Sequence, residues 1–240
     1  MASSLPAPPA RSDDEIVSKG ERRRQDKQRT LARAEERKRV ALRVYQGCDE
    51  AGARKLDDLA ARGVKPTCTA GCAHCCSLEI PVSRPEAEVL VAWLIANRSA
   101  PELDAIRERL RGWLAWYRTD YPALIASGVS RVDAFFRHAP SCALLENARC
   151  GGYPARPITC RNHYVSSPVA ECDPAVGTGN PDILLEVARA TSHHVAELRS
   201  VIENQGGSYL GSIHLISEWL AHLLDVESEP WRGAPALVLS

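Results

Sequence analysis

The 240-residue sequence contains no apolar run long enough to span a bilayer, and no regular alternation of apolar and polar residues that would indicate β-strands. It also has no internal repeat. Its first residues, MASSLPAPPARSDDE, include no hydrophobic segment and become acidic where a signal peptide would be apolar. These absences exclude a membrane-spanning protein and a repeat array, and they predict a cytoplasmic protein with no membrane partner.

Against this background the nine cysteines stand out. A chain of this length can bury a hydrophobic core without cross-links, so disulfides are not needed to stabilise the fold. Cytoplasmic thiols are kept reduced, and clustered cysteines in that compartment more often bind metals or carry out redox chemistry. The composition therefore indicates a metal or redox site.

The N-terminal quarter of the sequence predicts a charged helix. Residues 1–12 are rich in Pro, Ser and Ala and are predicted to be disordered, whereas residues 13–63 contain strong helix formers and no proline. Between Arg11 and Arg43, twelve Lys or Arg residues outnumber seven Asp or Glu residues. These charges are interpreted as pairing along a solvated helix that a protein partner could bind. Nucleic acid is not expected as a partner, because aromatic residues are not interleaved with the basic ones.

Residues 64–240 are predicted to form one cysteine-cluster domain. Ser83 and Glu86 have the spacing of a capping box at a helix start. Apolar periodicity predicts further helices over 101–118, 122–137, 181–204 and 210–226. Residues 139–180 have no apolar period, and so long a loop in a compact domain needs something to organise it. The predicted fold class is all-α: a helical domain with cysteine-rich loops organised around a metal or iron–sulfur centre, plus the long N-terminal charged helix.

Eight of the nine cysteines fall into two groups. The first group, in the stretch CTAGCAHCC, is Cys68, Cys72, Cys75 and Cys76, and the second is Cys142, Cys150, Cys160 and Cys172. Thiolates bind zinc, copper(I) and iron–sulfur clusters, and spacings of two or three residues let one turn of backbone present several sulfurs to one centre. All eight are therefore predicted metal ligands, and the two groups are expected to meet in space. Cys48, alone in a helix, is interpreted as a buried apolar residue.

Histidines and arginines lie near these cysteines. His74 and His163 could replace a thiolate or donate a hydrogen bond to one, whereas His193 and His194 are interpreted as packing or surface residues.

Arg156 and Arg161 are predicted to assist in binding the cofactor. Their guanidinium groups could donate hydrogen bonds to cluster sulfurs or to nearby carbonyls and offset the negative charge of the thiolates. A 4Fe–4S core held by four thiolates is a net anion, so nearby arginines favour iron–sulfur. Two zinc sites with four cysteine ligands each remain an alternative, because the same cysteines would satisfy them.

The stretches CTAGCAHCC and CALLENARCGGYPARPITCRNHY closely resemble the YkgJ-type cysteine-cluster family, which is described as zinc- or iron-chelating. The family pattern matches the first cysteine group, then Cys142, Cys150 before Tyr153, Arg156 with Pro157, and Cys160 with Arg161. This chain departs from the pattern at Ala143, where the family often has proline, and in the two glycines before the tyrosine. The resemblance covers residues 65–172 and implies a metal or iron–sulfur domain, but it implies no particular reaction.

The function predicted from the sequence is that of a cytoplasmic metal-binding protein carrying an iron–sulfur cluster, with redox or cluster-assisted enzymatic chemistry left open. The alternative is a zinc-binding structural or metal-handling module without catalysis. The C-x3-C-x2-C spacing also occurs in radical SAM enzymes, but those enzymes usually have an aromatic residue where this chain has His74, and they need βα units that the sequence lacks. No catalytic residue or substrate is assigned.

Overall fold

The structure is a computed structural model that describes residues 13–69 and 71–232, with side chains from residue 20 onward. The predicted disorder of residues 1–12 lies outside this range. The helices are α1 (Asp13–Ala61), α2 (Arg84–Asn97), α3 (Ala100–Ala126), α4 (Arg131–Asp133), α5 (Ile158–Asn162), α6 (Leu185–Asn204) and α7 (Ile216–Leu223). The strands are β1 (Pro81–Ser83), β2 (Leu145–Glu146), β3 (Arg149–Cys150) and β4 (Ile213–Leu215). This predominantly helical architecture confirms the predicted all-α class, and no described helix combines the length and apolarity needed to cross a membrane.

Helix α1 changes character along its length. Every residue from Gly20 to Arg33 is exposed, because this part has no apolar stripe to bury. Further on, Val40, Val44 and Tyr45 are buried against α2 and α6, as their apolar spacing predicted. The second half of α1 is therefore part of the main hydrophobic core, and the division of the chain at residue 63 stays a prediction.

Helices α2 and α3 both begin with a capping box. Glu86 accepts hydrogen bonds from the backbone and side chain of Ser83, and Glu102 accepts the same pair from Ser99. These bonds satisfy backbone N–H groups that a helix start leaves without intrahelical partners. The first box confirms the start predicted from the Ser83 and Glu86 spacing.

The prediction of separate helices over 101–118 and 122–137 was wrong. Helix α3 continues through Pro122 to Ala126, and only then does the chain turn at Gly128, whose φ is +91°. Tyr117 and Tyr121, on either side of the expected break, pack with Phe135 in an aromatic cluster. This packing outweighs the cost of a proline inside a helix, which is about 3 kcal/mol. The remainder of 122–137 forms α4 and a π-helical turn over Ala134–His138.

Two short antiparallel ladders complete the fold. Strand β1 pairs with β4, so that Pro81 lies opposite Leu215, and β2 pairs with β3. Strands of two or three residues are too short to show an alternating pattern, so the sequence did not reveal them. The first ladder fixes the chain between the first cysteine group and α2 against the start of α7.

Candidate metal centre

The first cysteine group is held on a short irregular segment. Thr67 anchors the segment, because its N–H donates to the Val165 carbonyl (2.9 Å) and its hydroxyl donates to the Ser167 carbonyl (2.6 Å). The chain then turns at Gly71, where φ is +92°, a conformation that glycine adopts without strain. A 3₁₀ turn over His74–Ser77 follows and carries Cys75 and Cys76 side by side. The segment is thus two successive turns and not a helix.

The second cysteine group comes from three different local structures. Cys142 lies just before the β2–β3 hairpin, and Cys150 ends β3. The hairpin turn places Asn147 and Ala148 at φ of 50° and 59°. Cys160 lies on α5, and Cys172 ends a 3₁₀ turn over Val169–Cys172. No common sequence period could have placed these four residues together.

The structure brings the two groups into contact, as their shared chemistry predicted. The N–H of Cys142 donates to the carbonyl of Cys76 with a distance of 2.7 Å, although the two residues are far apart in the sequence. Cys142 is buried, and Cys76, Cys150 and Cys160 pack partly buried against the main core. All nine cysteines, including the buried Cys48, are free thiols. The interpretation of Cys48 as a buried apolar residue agrees with its 1% exposure.

Four of the thiols interact electrostatically in every combination. The pKa of Cys142 is raised to about 12, mainly by burial and in smaller part by negative charge on Cys150 and Cys75. The pKa of Cys150 is raised by burial and by Cys75. Burial also raises the pKa of Cys160, with added contributions from Cys142, Cys75 and Cys150. Each of these four thiols is therefore near enough to the other three to feel their charge.

Three further thiols, Cys68, Cys72 and Cys172, interact with one another and with Cys75. Burial raises the pKa of Cys172, and charges on Cys68, Cys72 and Cys75 add to this effect. The pKa of Cys75 itself is raised most by its hydrogen bond with the neighbouring Cys76 thiol. Cys75 therefore interacts with both sets of thiols.

The donor chemistry fits a thiophilic metal, because all eight cysteines of the two groups are free thiols and the groups are in contact. Within residues 13–69 and 71–232, no three Cys, His, Asp or Glu side chains are already arranged to hold a single metal ion. The structure thus brings the predicted ligands together, and their roles as ligands stay a prediction.

Two arginines that were not predicted from the sequence, Arg98 and Arg109, form hydrogen bonds with the chain beside the second cysteine group. Arg98 donates to the Gly151 carbonyl at 2.6 Å, and Arg109 donates to the Ala143 carbonyl at 2.7 Å. Both also pair with Glu146 on β2. Their positive charges lower the pKa of Cys150 and Cys142 respectively, against the larger effect of burial. Arg98 follows the end of α2 and Arg109 lies on α3, and nothing in their sequence spacing distinguishes them from other arginines.

The two predicted arginines occupy very different positions. Arg161 is 6% exposed, and it donates to the carbonyls of Arg156 (2.8 Å) and Pro154 (2.7 Å) and to Asp49 (2.5 Å). Its guanidinium also lies over the ring of Tyr45, 4.3 Å from the centroid. Arg156 is only half-buried, lies over Tyr153 and donates to the Tyr153 carbonyl. Arg161 therefore fixes the segment between Cys150 and Cys160 by donating to two of that segment's backbone carbonyls. The charge of Arg156, in contrast, lowers the pKa of Cys150.

We expect Arg161→Ala to lower the free energy of unfolding by about 2 to 4 kcal/mol, because it removes a cation–π contact and three hydrogen bonds from a buried site. Arg156→Ala is the matched control and should cost less than about 1 kcal/mol, since that side chain has one hydrogen bond and is partly solvated. Urea denaturation of both variants measures the difference. Equal losses would show that burial of Arg161 does not matter.

Glu86 was identified from the sequence only as a capping residue, but it also reaches the cysteine site. Its second carboxylate oxygen accepts the N–H of Ile158, the first residue of α5, at 2.9 Å. The side chain is almost fully buried. Burial raises its pKa, and the hydrogen bonds from Ser83 and Ile158 and the charge of Arg161 oppose that rise. One carboxylate therefore links the start of α2 to the helix that carries Cys160.

The histidines are distributed as their positions in the sequence suggested. His74 and His163 lie within the cysteine segments and are partly buried, and burial lowers the pKa of His163. Their roles as replacement ligands stay predictions. His193 and His194 lie on α6, with ring centroids 3.9 Å apart, and His194 packs against Gly47 of α1.

Residues 67–176 match the model of the CxxCxxCC family, described as "Putative zinc- or iron-chelating domain". The matched segment contains both cysteine groups and confirms the resemblance on which the sequence analysis relied. Neither a curated protein nor a solved structure matches the chain at a significant level.

Proposed function

With a zinc- or iron-chelating domain over residues 67–176 as the premise, we propose that this protein binds iron as an iron–sulfur cluster, most simply 4Fe–4S, on its clustered cysteines. The observation that carries the proposal is the convergence of the two groups, joined by the hydrogen bond from Cys142 to Cys76. The four mutually interacting thiols, Cys75, Cys142, Cys150 and Cys160, supply the ligand number that such a cluster requires.

The surroundings of these four thiols support iron–sulfur over zinc. A cluster held by four thiolates is a net anion whose stability and potential depend on burial and on nearby cations. Here Cys142, Cys150 and Cys160 lie in or against the hydrophobic core, and Arg98, Arg109 and Arg156 contribute positive charge beside the thiols. When bound, the cluster would supply one-electron redox chemistry. The proposal places the protein in the cytoplasm, because the thiols must stay reduced to bind metal.

A second candidate is a pair of structural zinc sites. The thiols of Cys68, Cys72 and Cys172 also interact with one another. Together with Cys76 they would complete a second set of four, and zinc commonly takes four cysteines in structural sites.

Anaerobic purification followed by metal and sulfide analysis distinguishes the two candidates. We expect a brown protein whose broad visible absorption is accompanied by iron and acid-labile sulfide. The variant Cys48→Ala is the matched control, because Cys48 is the one cysteine outside both groups, and it should keep the full iron content. Colourless protein with stoichiometric zinc and no sulfide would support the second candidate and contradict the first.

Metal removal should loosen residues 139–175 before the long helices. The binding free energy of a metal site contributes to folding wherever the ligands are not fixed beforehand, and this segment contains only short elements. We expect faster amide hydrogen exchange there in the metal-free protein. The aromatic cluster around Trp116 and Phe135 should remain equally protected in both forms. Equal protection of residues 139–175 with and without metal would contradict this expectation.

A further inference from the structure

A cleft of about 430 Å³ lies between α1, the start of α2 and the loop that follows α6. Its walls include Thr30, Arg33, Arg37, Arg84, Gln205, Trp219 and the glycine and serine residues of the loop over 206–212. The volume is within the range of clefts that bind small molecules. None of these residues belongs to the cysteine cluster.

The cleft is positively charged although the whole chain is formally neutral. Glu88 forms a two-bond ion pair with Arg37 and also accepts from the Nε of Arg84. The two Nη groups of Arg84 and the entire guanidinium of Arg33 have no acceptor among the described residues. Glu36 is the other nearby acid, and it accepts from the Gln205 side chain. The three arginines outnumber the two acids, Glu88 and Glu36, by one, so the cleft has a net positive charge.

The loop beside these arginines is built from small residues, with the sequence GGSYLGS over 206–212. Gly206 has a φ of +80°, and a Cβ on Gly207 would lie 3.0 Å from the Ile202 side chain. The loop therefore needs glycine to follow this path. The backbone N–H of Ser208 has no acceptor among the described residues. Glycine-rich backbone lets a ligand approach closely, and free N–H groups favour anions.

We infer that this cleft binds a phosphorylated small molecule of nucleotide size, with Arg33 and Arg84 holding its phosphoryl group. Guanidinium groups bind phosphate oxygens in pairs, and two arginines with free donors flank a loop that a phosphate can approach. Trp219 also lines the cleft, but it is buried and its indole N–H donates to the Ser212 carbonyl, so among the described residues the cleft offers no open aromatic face on which successive nucleic-acid bases could stack. A small phosphorylated ligand is therefore favoured over a nucleic-acid strand.

Calorimetric titration of the full-length, metal-loaded protein tests this inference. The probes are ATP, AMP, inorganic phosphate, adenosine and a single-stranded oligonucleotide. We expect ATP and AMP to bind, adenosine to bind at least about tenfold more weakly, and the variants Arg33→Gln and Arg84→Gln each to weaken ATP binding about tenfold. Arg111→Gln is the matched control, because Arg111 is an exposed helical arginine on α3 that pairs with Glu108, and it should change nothing.

The variants should fold normally, because Arg33 makes no side-chain contact that folding requires and Glu88 keeps its pairing with Arg37. Thermal unfolding checks this directly. Several results would overturn the inference: no binding of ATP, AMP or phosphate; equal weakening by Arg111→Gln; adenosine binding as tightly as ATP; or binding of the oligonucleotide alone. A glutamate-rich peptide that bound as tightly as ATP would also overturn it, because the cleft would then recognise carboxylates.

Discussion

Replacing Cys75 by serine is expected to lower metal affinity by about 100-fold or more, the largest effect of any single cysteine substitution. Cys75 interacts with thiols of both cysteine groups, since its charge affects Cys68, Cys142, Cys150, Cys160 and Cys172. Substitutions of residues that only support a ligand already cost tenfold to 100-fold in metal affinity, so loss of a central ligand should cost at least as much. Competition with a chelator, followed by metal analysis, measures the change.

The matched control is again Cys48→Ala, which removes a thiol from the hydrophobic core and leaves both groups intact. Its metal affinity should equal that of the unmodified protein, although its stability should fall slightly because a small cavity is created. Full metal retention by Cys75→Ser would show that Cys75 is not a ligand. Equal metal loss in both variants would show that metal binding responds to stability alone.

Replacing Glu86 by alanine should lower the free energy of unfolding by about 3 to 5 kcal/mol, because it leaves the N–H groups of Ser83 and Ile158 buried without an acceptor. Metal retention should fall as well, since α5 would lose the bond that holds its first residue. Urea denaturation and metal analysis of the same sample measure the two effects.

The chain contains a matched control for this prediction. Glu102 forms the same capping box with Ser99, at distances of 2.8 and 2.6 Å, but the box is exposed. Glu102 also accepts from Arg98, which without it still has the Gly151 carbonyl and Glu146 as partners. Glu102→Ala should therefore cost only about 0.5 to 1 kcal/mol and leave metal content unchanged. Similar losses in the two variants would mean that Glu86 acts as an ordinary helix cap.

The parts of the fold that were predicted from the sequence depend on local signals. Strong helix formers located α1, apolar periodicity located α6 and the first part of α3, and the spacing of Ser83 and Glu86 located the start of α2. The position of Cys48, alone among helix-forming residues, was enough to identify it as a core residue. In each case the residues that fix the structure are close together in the sequence.

The parts that were missed depend on contacts between distant residues. Pro122 was expected to begin a separate helix, but Phe135 and the tyrosines of α3 stabilise the continuous helix by packing. The bond from Glu86 to Ile158 joins residues 72 positions apart, and a capping-box spacing gives no sign of it. Arg161 was predicted to lie near the centre, but its bonds to Asp49 and to two carbonyls could not be derived from its position in the sequence.

The cysteine site was predicted from the sequence only in part. Shared chemistry predicted that the groups would meet, because a long irregular segment needs an organising centre. The sequence did not indicate which of the eight thiols interact with one another, because Cys142, Cys150, Cys160 and Cys172 lie on unrelated local structures.

X-ray absorption spectroscopy of the anaerobically purified protein, at both the iron and the zinc edges, tests the central claim most directly. The proposal predicts iron surrounded by sulfur atoms at about 2.3 Å, with further iron atoms as neighbours and no stoichiometric zinc. Zinc bound by four sulfur atoms in the absence of iron, or iron bound mainly by oxygen and nitrogen, would contradict it.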